Sequence, residues 1–99
     1  MTKYRKKPVV IDAMQFKGPD GTLENGPSHE WLEYSIAFDD WIIDNQGDVK
    51  CRYVGPTLVI PTLEGDMTAM PGDWIIKGVK GELYPIKSDV FELTYEAVE

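Results

Sequence analysis

Apolar and polar residues alternate in short runs along most of the chain, and glycine or proline separates one run from the next. Alternation with a period of two is typical of half-buried strands, and the breakers between runs are typical of tight turns. Pro8 suits the start of a strand, whereas Pro61 requires an edge position or a bulge. The predicted strands cover residues 9–16, 49–54, 57–60, 67–70, 74–77, 82–86 and 94–98.

The segment after the first predicted strand changes character. Residues 17–27 are rich in glycine and proline, which predicts a loop and the best candidate for a mobile segment. Ser28 is a suitable N-cap for a short helix that begins near His29, because its hydroxyl accepts a bond from a first-turn N–H group.

A second short helix is predicted to begin at Asp39 or Asp40 and to end at Gly47, where a positive φ angle suits a helix C-terminus. A competing interpretation makes residues 41–44 a strand that turns back through a hairpin. Near the end of the chain, Ser88 is a suitable cap for one further helical turn.

The chain of 99 residues is the size of one domain, which we expect to span residues 1–99. Short strands at this spacing predict an α+β fold that is mostly β. Its form is a small curled antiparallel sheet, or a partly open barrel, with one or two short helices. Tight reversals with positive φ are expected at four glycines: Gly65, Gly72, Gly78 and Gly81.

Charge is distributed unevenly along the chain, which has 10 basic and 17 acidic residues and a net charge of −7. Four of the basic residues, Lys3, Arg5, Lys6 and Lys7, precede every acidic one. The rest of the chain therefore has 11 more acids than bases, and it repels the phosphates of duplex nucleic acid. The basic segment is either a solvated terminus or a contact for an anion, an acidic partner, or the acidic body of the same or another subunit.

Cysteine content and hydropathy bear on the compartment. The single cysteine, Cys51, excludes an internal disulfide, which is typical of a reducing cytoplasm. No apolar run approaches the roughly 20 residues of a membrane span, and Asp12 interrupts the only stretch near the N-terminus that resembles a signal sequence. We therefore expect a protein that stays in the compartment where it is made and has no membrane partner.

Several segments of the chain resemble one known family. The longest is PGDWIIKGVKGELYP at residues 71–85. Others are residues 6–9, 13–16, 41–43, 63–65, 89–91 and 94–96. On these segments the chain resembles a family of small proteins common in tailed bacteriophages and prophages. The resemblance implies a viral protein in the cytoplasm of a bacterial host. It does not assign a catalytic role to any residue of this chain. By analogy with other small phage proteins, it favours a role against host defence by sequestering a nucleotide signal.

Candidate catalytic groups are sparse. His29 is the only histidine and is expected on the surface, and Cys51 is expected to be a small buried side chain. Paired acids at Glu64 and Asp66, or at Asp39 and Asp40, are expected by chance in so acidic a chain. Asp73 and Glu82 are predicted either to face one another across a hairpin or, for Asp73, to cap a turn. We therefore predict no catalysis, no metal and no cofactor.

Aromatic residues near basic ones favour a ligand site instead. Trp74 or Tyr84 is predicted to stack on a flat ring, while basic side chains neutralise phosphate. The predicted basic residues of this site are Arg5, Lys7, Lys77 and Lys87. The alternative interpretation is that the two aromatic side chains simply fill the core.

Two functions follow from this pattern. The first is a non-catalytic phage-type protein that sequesters a small anionic, nucleotide-like ligand, with a homo-oligomer as one expected form. The alternative is a protein–protein antagonist or phage accessory factor that docks on a basic host protein through its acidic surface.

Overall fold

The computed structural model describes residues 1–5, 7–18 and 29–98. Most of the predicted loop, namely residues 19–27, lies outside the described residues, as do the proposed cap Ser28 and Lys6 of the basic segment. In chain order, the described part forms β1 (Asp12–Gln15), α1 (His29–Asn45), β2 (Arg52–Val54), β3 (Thr57–Thr62), β4 (Gly65–Ala69), β5 (Trp74–Lys77), β6 (Leu83–Ile86) and α2 (Ser88–Thr94). The predicted α+β class, mostly β, is confirmed. The strands form two small antiparallel sheets, and neither sheet closes into a barrel.

The first sheet has the strand order β1-β5-β6. Strand β1 pairs antiparallel with β5, with Met14 opposite Ile75, and β5 pairs antiparallel with β6, with Ile76 opposite Tyr84. Strand β5 occupies the centre of the sheet, and Ile75 and Ile76 are completely buried on its two faces. This explains why its sequence is a continuous apolar run instead of an alternating one.

The second sheet has the order β2-β3-β4. Pro61 lies in the central strand, but it faces only Asp66 of β4, because β2 begins with Arg52 opposite Val59. The proline therefore occupies a locally unpaired edge, where its missing N–H group removes no ladder bond. The predicted edge position is correct in this local sense.

One helix of 17 residues, α1, replaces the two short helices of the prediction. Its inward side chains recur at helical spacing: Trp31, Tyr34, Phe38 and Ile42. Because this stripe continues past Asp39, neither predicted aspartate begins a second helix. The competing strand at residues 41–44 is also wrong. Gly47 follows the helix with a φ of +63°, as predicted.

The second helix, α2, includes the predicted turn but runs on to Thr94. Ser88 is its first residue, and the preceding Lys87 makes no side-chain capping bond, so the proposed cap is wrong. The predicted strand at residues 94–98 is wrong as well. Phe91 and Tyr95, four residues apart, stack on each other at 5.3 Å, a contact that helical spacing brings about and an extended strand does not.

The core lies between α1 and the inner faces of the two sheets. Leu58 and Ile60 of β3 and Ile75 of β5 are almost completely buried in it. Its remaining buried members are Phe16, Phe38, Ile42, Ala69 and Leu83. Neither described helix combines the length and the apolar character that crossing a membrane requires.

Turn glycines follow the prediction with one exception. Gly65, Gly72 and Gly81 have φ angles of +108°, +99° and +85°, which L-residues rarely adopt. Gly78 does not have a positive φ. A Cβ atom there would meet the side-chain carboxylate of Glu82, which is exposed and able to move away, so packing by itself does not require glycine at this position.

Candidate functional site

The two aromatic residues predicted to bind a ligand share one face of the β5–β6 hairpin. Trp74 stacks on Phe91 of α2, with ring centroids 4.2 Å apart and planes 9° from parallel. Tyr84 interacts with Tyr95, and burial together with this contact raises the pKa of Tyr84. One face of the Trp74 ring is thus already covered by the protein's own helix.

The four basic residues predicted for the same site lie in different places. The Lys77 ammonium donates to Oδ1 of Asn45 at 2.8 Å, and the Lys87 ammonium lies 3.3 Å from Oδ2 of Asp73. Arg5 and Lys7 are exposed in the segment before β1. Trp74 and Tyr84 therefore share a face, while the structure does not gather the cations around them. The six-residue site stays a prediction.

The predicted meeting of Asp73 and Glu82 is wrong. Asp73 precedes β5 at the open end of the hairpin, whereas Glu82 precedes β6 beside the turn at the other end. The alternative for Asp73 is confirmed, since its Oδ2 accepts a bond from the Met70 backbone N–H at 2.9 Å and so closes the β4–β5 turn.

A different concavity is lined largely by aromatic side chains. It is a cleft of about 320 Å³ where the end of β1, one side of α1 and the β2–β3 turn meet. Small-molecule sites typically begin at about this size and are mostly apolar, with a few polar groups. We call it the aromatic cleft, and it is lined by Phe16, Gly18, Trp31, Tyr34, Ser35, Phe38, Asp39, Tyr53 and Gly55.

Hydrogen bonds attach the end of β1 to α1 and hold two of the aromatic walls in place. The Lys17 backbone N–H donates to the Tyr34 hydroxyl at 2.8 Å, and that hydroxyl donates to the Gln15 carbonyl. The Trp31 indole N–H donates to the Gly18 carbonyl at 3.2 Å. Both rings are thus bonded at their polar ends to the end of β1, and both contribute to the wall of the cleft.

The polar side of the cleft is formed by Asp39 and Tyr53, whose hydroxyl donates to the Asp39 carboxylate. The second carboxylate oxygen leaves acceptor capacity in a mostly apolar cleft. At the rim, the Lys17 ammonium lies 4.8 Å from the centre of the Tyr34 ring, in a cation–π contact.

Both tyrosine hydroxyls of the cleft are protonated groups at neutral pH. Partial burial raises the pKa of Tyr34 above its ordinary value, and the charge of Asp39 adds to that effect. Tyr53 exposes 56% of its surface. Nevertheless, desolvation of its hydroxyl and the hydrogen bond to Asp39 raise the pKa of Tyr53 strongly.

We expect the raised pKa of Tyr53 to make folding sensitive to alkali. A phenol whose pKa is higher in the folded state stabilises the fold below its unfolded pKa, and this stabilisation is lost as the pH rises above about 10. The free energy of unfolding in urea, measured across that range, should fall less steeply for Tyr53→Phe than for the wild type. Tyr4→Phe, in the exposed segment, is the control; equal slopes for all three proteins would contradict the assignment.

The remaining candidate groups do not form a chemical site. His29 is on the surface as predicted, and its Nε2 lies 2.9 Å from a Glu33 carboxylate oxygen. Cys51 is half-buried beside the core, and burial raises the pKa of its thiol. Among residues 1–5, 7–18 and 29–98, no three His, Cys, Asp or Glu side chains are grouped so that they could hold a metal ion.

Fold and cleft together define the chain as a small α+β protein with an aromatic cleft beside its long helix. Comparisons with protein-family models, with curated proteins and with solved structures found no match. The resemblance of residues 71–85 to tailed-phage proteins therefore stays a prediction.

Proposed function

We propose that this protein is a non-catalytic binding protein and that its aromatic cleft takes one flat, nucleotide-like ligand. The observation that carries the proposal is the cleft itself, in which aromatic side chains from three separate segments surround a single carboxylate. Such a lining suits a planar ring, because rings stack well on Trp and Tyr side chains.

The carboxylate narrows the class of ring. Asp39 offers acceptor oxygens and no donor, so it favours a ligand with N–H groups on its edge. Exocyclic amino groups of adenine, guanine or cytosine have this chemistry. The Ser35 hydroxyl lies on the same wall and already donates to the Leu32 carbonyl at 3.2 Å, which leaves it as a further acceptor.

Charge favours one orientation of a nucleotide. A phosphate beside Asp39 would be repelled, whereas at the rim it would approach the exposed ammonium of Lys17. The proposed pose therefore places the base inside the cleft and the phosphate at its mouth. The resemblance to phage proteins adds a setting, in which sequestering a nucleotide signal inside the bacterial host would serve the virus.

The experiment is a calorimetric titration of the purified chain with nucleosides, nucleoside monophosphates, cyclic nucleotides and ADP-ribose. We expect binding of at least one amino-bearing member. Trp31→Leu should weaken that binding about tenfold or more through the lost stacking, and Asp39→Ala about tenfold through the lost acceptor.

The matched control is Trp74→Leu, which removes the same ring from the separate face of the β5–β6 hairpin. Affinity unchanged in this variant but reduced in Trp31→Leu supports the cleft. Affinity reduced in Trp74→Leu but unchanged in Trp31→Leu would instead indicate a ligand site at Trp74 and Tyr84. Absence of binding heat and of any thermal shift across the whole panel at submillimolar concentration would refute the proposal.

The alternative function, docking on a basic host protein, stays a prediction supported by charge alone. Exposed acids on α1 include Glu30, Asp40 and Asp44, and they face solvent instead of a basic group of the described chain. Unlike the cleft, they do not define which surface of a partner would fit.

A further inference from the structure

The segment before β1 is unpacked. We call residues 1–5 and 7–10 the basic arm; it carries Lys3, Arg5 and Lys7, and every one of its residues is exposed. Its apolar side chains are exposed too, including Tyr4 at 93% and Val10 at 78%.

The solvent side of α1 has complementary properties. Leu32 is exposed over 43% of its surface, and Ile36 and Ile43 each over 62%. At offsets of four and eleven residues from Leu32, both isoleucines lie on its face of the helix. Glu33 and Asp40 flank them, so we call these five residues the acidic stripe.

We propose that the acidic stripe of one copy binds the basic arm of a second copy, and that two copies exchange arms reciprocally. Both surfaces belong to one chain and both are exposed to solvent in the single copy, in which the Glu33 carboxylate also contacts His29. The arm offers cations beside apolar side chains, and the stripe offers carboxylates beside apolar side chains, so the two surfaces match in charge and in hydrophobicity.

The direction of the arm favours a second copy over the arm's own helix. Asp12 pairs with Lys77, whose ammonium contacts Asn45 at the C-terminal end of α1. Strand β1 then runs back along the helix, since Gln15 is bonded by Tyr34 and Gly18 by Trp31. Followed backwards from Asp12, the chain therefore leaves the domain past the end of its own helix.

A charge-reversal exchange tests this pairing. We expect the wild type to form dimers in sedimentation equilibrium that weaken with added salt, since exposed charges are screened. Lys3→Glu/Lys7→Glu should raise the dimer dissociation constant about tenfold or more, because attraction at both arms becomes repulsion. Glu33→Lys/Asp40→Lys should do the same. Mixed in equal amounts, the two variants should form a heterodimer at concentrations where neither variant forms a homodimer.

The control is Lys50→Glu/Lys80→Glu, which changes the net charge equally at exposed sites outside the arm and should leave dimerisation intact. A wild type that stays monomeric at millimolar concentration would overturn the proposal. So would a dimer that survives reversal of the arm, or a mixture that fails to assemble. None of these outcomes bears on nucleotide binding, because the acidic stripe lies outside the residues that line the aromatic cleft.

Discussion

Replacement of Phe38 by alanine is expected to lower the free energy of unfolding by about 3–5 kcal/mol, the largest effect of any single change considered for this protein. Phe38 is 2% exposed, and its ring lies 5.6 Å from that of Phe16 and 5.7 Å from that of Tyr34. It joins α1 to the end of β1 and also forms part of the cleft wall. Its removal leaves a cavity that neighbouring aromatic rings, held at their polar ends, are poorly able to fill.

Urea denaturation followed by circular dichroism measures this loss. A domain of this size typically has a total stability of about 5–15 kcal/mol, so Phe38→Ala should shift the midpoint far toward low urea. Leu93→Ala, which truncates an exposed side chain of α2, is the control and should change stability by no more than about 0.5 kcal/mol. A loss below about 1 kcal/mol for Phe38→Ala would show that the helix is not held by this core.

Hairpins were the most predictable part of the fold. The predicted strand at residues 74–77 matches β5 residue for residue, and Gly65, Gly72 and Gly81 have the positive φ angles expected of them. A hairpin is specified by neighbouring residues, namely an apolar run and a turn glycine. The information is local, and a single sequence contains it.

Elements that depend on distant contacts were predicted less well. Asp39 and Asp40 have the chemistry of helix caps. They are interior positions of one long helix because the inward side chains of α1 pack against the sheets on both sides of this point in the chain. Residues 94–98 have strand-like composition. They are not a strand, because α2 runs on to Thr94, so that Phe91 stacks on the Trp74 ring and Tyr95 stacks on Phe91. Tertiary packing overrides local propensity in both places.

The candidate site was missed for the same reason. Aromatic spacing at Trp31, Tyr34 and Phe38 is visible in the sequence and indicates one helical face, but it does not reveal what lies opposite. The opposite walls come from residues 16–18 and from Tyr53, which are remote in sequence. The ligand site predicted around Trp74 relied on residues that are near one another in the sequence of the hairpin. That proximity does not reveal that Phe91 of α2 covers one face of the Trp74 ring.

Gly18→Ala is expected to lower the free energy of unfolding by about 2–5 kcal/mol and to weaken ligand binding in the same variant. The residue has a φ of +78°, which costs an L-residue about 1–2 kcal/mol. In addition, a Cβ atom there would lie 2.7 Å from Cγ and 2.8 Å from Cβ of Pro71, whose ring has little freedom to move away. Overpacking of this kind costs about 1–3 kcal/mol.

Gly47→Ala is the matched control for Gly18→Ala, because Gly47 has a φ of +63° and a Cβ atom added there would meet nothing within 4 Å. It isolates the backbone contribution, so the difference between the two variants in urea denaturation measures the clash with Pro71. Equal losses of unfolding free energy in the two variants would show that the contact with Pro71 does not destabilise Gly18→Ala. The link to function is the Gly18 carbonyl, which accepts the bond from the Trp31 indole at 3.2 Å. Displacing this carbonyl breaks a bond that positions the ring proposed to stack on the ligand, so Gly18→Ala should lose affinity while Gly47→Ala retains it.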